Sequence, residues 1–210
     1  MKPQPNLLAG EDFPPEPQQK RSADKRARLK AAGLTLFAEK GYEGASVDEI
    51  ARTADLAVGT FYQHYRSKRQ LLLALMSDLL EYMSKLDLRL AGTSGVEVTL
   101  RDMLHRAFSG DLKYLGAYRA WQEAILSDPD LARKDRKIHS WTIGRVTGVF
   151  ELLAKLPGAR KGVDIEGLGR VMDSFFWSLL SQAVQLRRVE LERSVDSATH
   201  LIYHALFIDR

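Results

Sequence analysis

Apolar residues recur along the chain at three- and four-residue intervals and nowhere in sustained alternation. Leu29, Ala32, Gly33, Leu36 and Phe37 fall at i, i+3, i+4, i+7 and i+8, the spacing of one helix face. They predict a first helix from about Ser22 to Lys40, stopped by Gly41 as a glycine past a helix C-terminus would. Val47, Ile50, Ala51 and Ala54 repeat the spacing behind Ser46, which has Glu49 three residues on. That pair is a capping box: serine takes a free backbone N–H and glutamate reaches back to another. A turn at Asp55-Leu56 and a second short helix over 58–65 follow. Ser67-x-x-Gln70 is a second capping box, opening a long helix over about 67–90 that carries Leu71, Leu72, Leu75, Met76, Leu79, Leu80 and Met83.

Ala91-Gly92-Thr93-Ser94-Gly95 reads as a loop. Five more helices are expected at about 96–109, 111–127, 129–156, 164–187 and 191–208. Gly110, Asp128-Pro129 and Pro157-Gly158 punctuate them, with Pro129 in a first-turn position behind an Asp128 cap. The pattern predicts an all-α chain of about nine helices with no internal repeat.

Composition narrows the function. The chain has 210 residues, 45% of them hydrophobic and 28% charged, with a net charge of +4 and a pI near 9.3. A basic balance suits a polyanionic partner. There is no cysteine, hence no disulfide framework or thiolate metal site. No apolar run approaches the roughly 20 residues of a membrane span, so a soluble, cytoplasmic protein is expected. Residues 1–20 hold five prolines and are expected to be a disordered tail. A basic run follows, Lys20, Arg21, Lys25, Arg26, Arg28 and Lys30, opposed only by Asp24. It reads either as a solvated helix face or as an arm on DNA phosphates or the minor groove.

Two short helices around a tight turn, the second with exposed polar and aromatic groups, make a helix-turn-helix. The second helix is sized for the major groove. VGTFYQHYRSK, directly after DEIARTADLA and downstream of LKAAGLTLFAEKGYEGAS, resembles the DNA-binding segment of TetR-family transcriptional regulators. The resemblance is dense over about residues 26–75; beyond them only the helical layout is similar. It implies an N-terminal three-helix bundle with the helix-turn-helix over 21–66, and a C-terminal helical ligand-binding and dimerisation domain over 67–210. Asp55 and Ala57 depart from the family's usual glycine and serine. Aspartate tolerates the left-handed conformation, whereas Ala57 forfeits a cap worth roughly 0.5–2 kcal/mol.

Within this segment Val47, Ile50, Ala51, Leu56, Phe61 and Tyr65 read as core. Ser46, Arg52, Val58, Gly59, Thr60, Tyr62, Gln63, His64 and Lys68 are the candidates for DNA contact. Gly59 lets the backbone approach closely. Thr60 and Tyr62 carry hydroxyls suited to phosphate oxygens. Gln63 can pair with an adenine edge and Val58 can touch a thymine methyl. The resemblance implies phosphate contact at Thr60, Tyr62, His64 and Lys68; His64 also reads as a half-buried helix residue.

The last two helices, about 164–187 and 191–208, are apolar over most of their surface and need covering on more than one side. The resemblance implies a homodimer through a four-helix interface there. Two reading heads roughly 34–36 Å apart would then meet successive major grooves of a palindromic operator. Met103, Phe108, Tyr118, Trp121, Gln122, Ile125, Trp141, Arg145 and Phe175 are candidates for a small-molecule site between helices; each reads equally as core. Arg145 could anchor an anionic or carbonyl group, or pair with Glu123 or Glu151. No glycine-rich phosphate loop, nucleophile elbow or zinc signature is present, so no cofactor, metal or catalytic residue is expected. His200 and His204, at i and i+4, could face a metal but fit a dimer interface better. The reading is a ligand-responsive DNA-binding regulator, a repressor, released by a small, mostly apolar or aromatic effector. The alternative is a ligand-independent DNA-binding protein with a structural or division role.

Overall fold

A computed structural model of the chain describes residues 3–15, 19–86, 95–182 and 187–207; the side chains of 107–112 and 188 are outside that description. Among the described residues the architecture is all-α. The helices are α1 (Lys20–Gly44), α2 (Val47–Thr53), α3 (Val58–His64), α4 (Lys68–Lys85), α5 (Val96–Asp111), α6 (Leu115–Ser127), α7 (Pro129–Leu153), α8 (Ile165–Gln182) and α9 (Arg188–Leu206).

Several boundaries differ from the expected ones. The helix expected to reach residue 90 ends at Lys85, where Leu86 N–H turns back to the Met83 carbonyl at 3.2 Å; 87–90 lie outside the described residues. Gly110 falls inside α5, and the break comes at a short 3₁₀ turn, Leu112–Tyr114. A glycine weakens a helix by roughly 1 kcal/mol but does not stop it. α7 ends at Leu153 rather than 156, and α9 opens at Arg188 rather than 191. The expected cap is present: Asp128 Oδ1 accepts from the N–H groups of Asp130 (2.9 Å) and Leu131 (3.1 Å), with Pro129 as the first helical residue.

The chain groups into two compact units, residues 6–81 with 113–135, and residues 1–5 with 82–112 and 136–210. In the first, Leu29, Phe37, Ile50, Phe61 and Tyr65 are buried together with the apolar stripe of α4. α6 lies so close to α1 that a Cβ at Gly116 would collide with the Leu34 carbonyl oxygen and stand 2.8 Å from Ala38 N. At Gly41 the backbone of α1 turns left-handed (φ 71°), and the freed Tyr42 N–H donates to Glu123 at 2.6 Å.

The proline-rich segment is not a free tail over its described part. Leu7 is 1% exposed. Lys134 donates to the carbonyls of Leu7 (2.9 Å) and Ala9 (3.3 Å). Arg69 gathers Glu11, Asp128 and Asp130 at 2.6–2.7 Å. An apolar anchor and fixed charges supply the contacts that proline content alone does not reveal. In the second unit Leu100, Met103, Val149, Phe150, Leu153, Ile202 and Leu206 form the core.

Candidate nucleic-acid interface and ligand cavity

The turn between α2 and α3 closes as a Schellman motif. Leu56 N–H donates to the Ala51 carbonyl and Asp55 N–H to that of Arg52, both at 2.9 Å, with Asp55 left-handed at φ 52°. Arg28 clips this turn from α1, donating to the Asp55 carbonyl at 2.8 Å and its carboxylate at 3.0 Å. The Ser46–Glu49 capping box is complete. Lys40, then the Ser46 groups, hold the Glu49 carboxyl at a pKa of about 2. Gln70 N–H donates to Ser67 Oγ at 3.3 Å, but the Gln70 amide oxygen accepts from Arg66 N–H, one residue before the expected partner.

α3 has no side-chain cap at Ala57. It buries Phe61 and turns Gly59, Tyr62 and Gln63 outward. Tyr62 is 53% exposed, and a Cβ at Gly59 would meet nothing within 4 Å. Val58 and Thr60 are half-buried beside them, and Ser46 and Arg52 are exposed on α2. Seven of the nine candidates therefore have surface in the helix-turn-helix.

The other two are placed differently. His64 is 5% exposed; burial first, then the charges of Arg26 and Lys25, lower its pKa below the ordinary 6.5. The Lys68 ammonium donates to the carbonyls of Tyr42 (2.5 Å) and Ala45 (2.9 Å) and stands 4.3 Å from the Tyr42 ring centre. The family resemblance implies phosphate contact at both; it does not report the burial of His64, which also reads as a half-buried helix residue, or the carbonyls that Lys68 meets beyond the break at Gly41. The basic run divides likewise. Arg26 lies over Tyr65, Arg28 holds Asp55, and Lys30 pairs with Asp78 at 2.7 Å. Lys20, Arg21 and Lys25 are exposed.

The second unit encloses a cavity of about 110 Å³. Met103, Arg145 and Phe175 line it as expected; Thr142, Met172, Asp173 and Phe176 line it too. These four were not among the candidates: Met172 and Phe176 belong to the apolar surface of the helix expected at the dimer interface, and Thr142 and Asp173 carry no apolar signal. Trp141 is buried beside Arg145, its ring 5.1 Å from the guanidinium, without lining the space. Tyr118, Trp121, Gln122 and Ile125 belong to the first unit. There Trp121 is fully buried and donates to Asp135 at 2.8 Å, a core role. The Phe108 side chain lies outside the described residues. Arg145 pairs with neither Glu123 nor Glu151: it donates to the carbonyls of Met83 (3.0 Å) and Ser84 (3.5 Å). His200 and His204 bond each other at 3.1 Å on the exposed side of α9. Among the described residues no three metal-ligating side chains gather, and no helix is long and apolar enough to cross a membrane.

A capped helix, a Schellman turn and an outward-facing second helix define a helix-turn-helix DNA-binding protein of all-α architecture. Residues 29–75 match the family model described as "Bacterial regulatory proteins, tetR family". That segment is a TetR-family DNA-binding domain, and it supports a DNA-binding transcriptional regulator. The chain is 25% identical to the HTH-type transcriptional regulator TcmR of Streptomyces glaucescens over 199 residues, 86% of this chain and 85% of that protein. A shorter match, to the Transposon Tn10 TetC protein of Escherichia coli, is 51% identical over 39 residues, 19% of this chain and 20% of that protein. The fold is similar to that of the SmeT–triclosan complex, with a TM-score of 0.69, 19% identity, and coverage of 88% of this chain and 92% of that one.

Proposed function

We propose that the protein is a cytoplasmic repressor that binds a palindromic operator as a homodimer and is released by a small, mostly apolar or aromatic effector. Residues 21–66 would read the DNA, and 67–210 would bind the effector and dimerise. The observation that carries the DNA half is the outward face of α3, where Gly59, Tyr62 and Gln63 stand clear of the core. On this reading Gln63 and Val58 touch base edges. Ser46, Arg52, Thr60 and Tyr62 set register on phosphates, aided by Lys20, Arg21 and Lys25. His64 and Lys68 support the head from within.

The cavity supports the effector half. Its lining is apolar apart from Thr142, Arg145 and Asp173, as small-molecule sites usually are. The SmeT neighbour was solved with triclosan. Dimerisation through α8 and α9 is supported by Val171, Val189 and Leu201, which are exposed there. α4 runs unbroken from Lys68, beside the reading helices, to Met83 on the cavity, and would carry the signal. The effector must prefer the non-binding state, since equal affinity for both would shift nothing.

Fluorescence anisotropy of DNA from upstream of the protein's own gene tests this, with and without small aromatic and aliphatic compounds. The expected result is tight, salt-sensitive binding that at least one cavity-sized compound weakens. Tight binding that no compound alters would favour a ligand-independent DNA-binding protein.

A further inference from the structure

We propose that the effector is a carboxylate: an apolar body of about one ring or a short alkyl chain whose anionic group pairs with Arg145. This rests on reading the cavity as the effector site.

Three polar side chains line the cavity, and two satisfy each other. Asp173 Oδ1 accepts from the Thr142 hydroxyl and from Trp177 Nε1 at 3.0 Å, and its Oδ2 faces His139 Nδ1 at 2.6 Å. The carboxylate is fully engaged and the threonine proton is used. Arg145 is different. It is 8% exposed, and among the described residues its nitrogens meet only the neutral carbonyls of Met83 and Ser84. Among the described residues no carboxylate lies within ion-pair distance of it, and its flank is the Trp141 ring. Burial pulls its pKa down, yet a guanidinium stays charged at any physiological pH.

A buried charge without a counter-charge is costly unless it is kept for a partner. A guanidinium fork matches a carboxylate in two parallel hydrogen bonds. The surrounding wall, including Met103, Val149, Phe150 and Met172, is apolar, so the pair would form in a low-dielectric setting that strengthens it. At about 110 Å³ the space is of the order of the engineered cavity of about 150 Å³ that admits benzene. A single aromatic ring or a chain of a few carbons fits that scale. The same carboxylate would compete with the Met83 and Ser84 carbonyls for the guanidinium. Binding would thereby draw Arg145 from the last turn of α4.

Calorimetric titration of the full-length protein with benzoate and hexanoate, against benzyl alcohol and 1-hexanol, tests the assignment. The acids should bind roughly 10- to 100-fold more tightly than the alcohols, the range of a charge-assisted hydrogen-bonded pair. In Arg145→Met that preference should vanish while the alcohols still bind. Should Arg145→Met not fold, Arg145→Gln, which keeps donors for the two carbonyls, carries the same comparison. Alcohols binding the unaltered protein as tightly as acids would overturn the carboxylate assignment and leave the cavity as the effector site. An acid preference that survives loss of the guanidinium would do the same. Binding of neither class would overturn both.

Discussion

The ammonium of Lys68 donates to the carbonyl of Tyr42 across 2.5 Å. With its second bond, to Ala45 at 2.9 Å, it ties the first turn of α4 to the exit of α1. Gly41 breaks α1 there, and Ser46 opens α2 one residue beyond Ala45. Lys68→Met should therefore destabilise the protein by about 1–3 kcal/mol, the usual range for charged hydrogen bonds. Urea unfolding would measure it. The slope of log affinity against log salt should stay unchanged. A slope lower by about one unit would make Lys68 a phosphate contact instead.

The arm residues should behave in the opposite way. Lys25→Ala and Arg21→Ala touch exposed side chains and should leave stability nearly unaltered. Each should reduce the salt slope by about one unit on every DNA sequence tested. Arg26→Ala should cost stability, because its guanidinium lies over Tyr65 and donates to the phenol oxygen at 3.3 Å.

His64 predicts a pH dependence. Its pKa is depressed in the folded state below the ordinary 6.5, so the unfolded chain binds the proton more readily. The stability it contributes is complete above about pH 6.5 and is lost as pH falls toward the folded value. The unfolding temperature should be lower at pH 5.5 than at pH 7.5. His64→Gln should shrink that difference; an equal difference in both proteins would assign it to other groups.

The N-terminal segment should act as a strap on the first unit. Removing residues 1–15 exposes the site of Leu7, a loss on the order of 1.5–3 kcal/mol from apolar burial. It also strips Glu11 from Arg69. The shortened protein should melt at a lower temperature than the full chain, and an unchanged melting curve would show that the strap contributes nothing.

Much of this was legible in the residues. The Ser46–Glu49 box, the left-handed Asp55, the Asp128–Pro129 start and the break at Gly41 are local devices. They need only neighbours within a few positions, so spacing reveals them. What spacing did not reveal is which side of a seven-residue helix faces inward, so both readings of His64, contact and half-buried, stand open in the sequence. Nor does it reveal long-range partners, such as Tyr42 for Lys68 or Leu7 for Lys134. The cavity was half legible for the same reason. Apolar and aromatic positions mark buried surface, but whether Trp121 fills a core or faces a space depends on the helix packed against it. Asp173 gave no apolar signal at all.

Selection of bound sequences from a random duplex DNA pool, run side by side with the unaltered protein and Gln63→Ala, tests the central claim most directly. An inverted repeat should emerge with half-site centres about 10–10.5 base pairs apart or a multiple of that. Gln63→Ala should keep the repeat and its spacing but relax the preference at one position in each half-site. No enriched sequence, or an enriched site identical for both proteins, would contradict reading by α3.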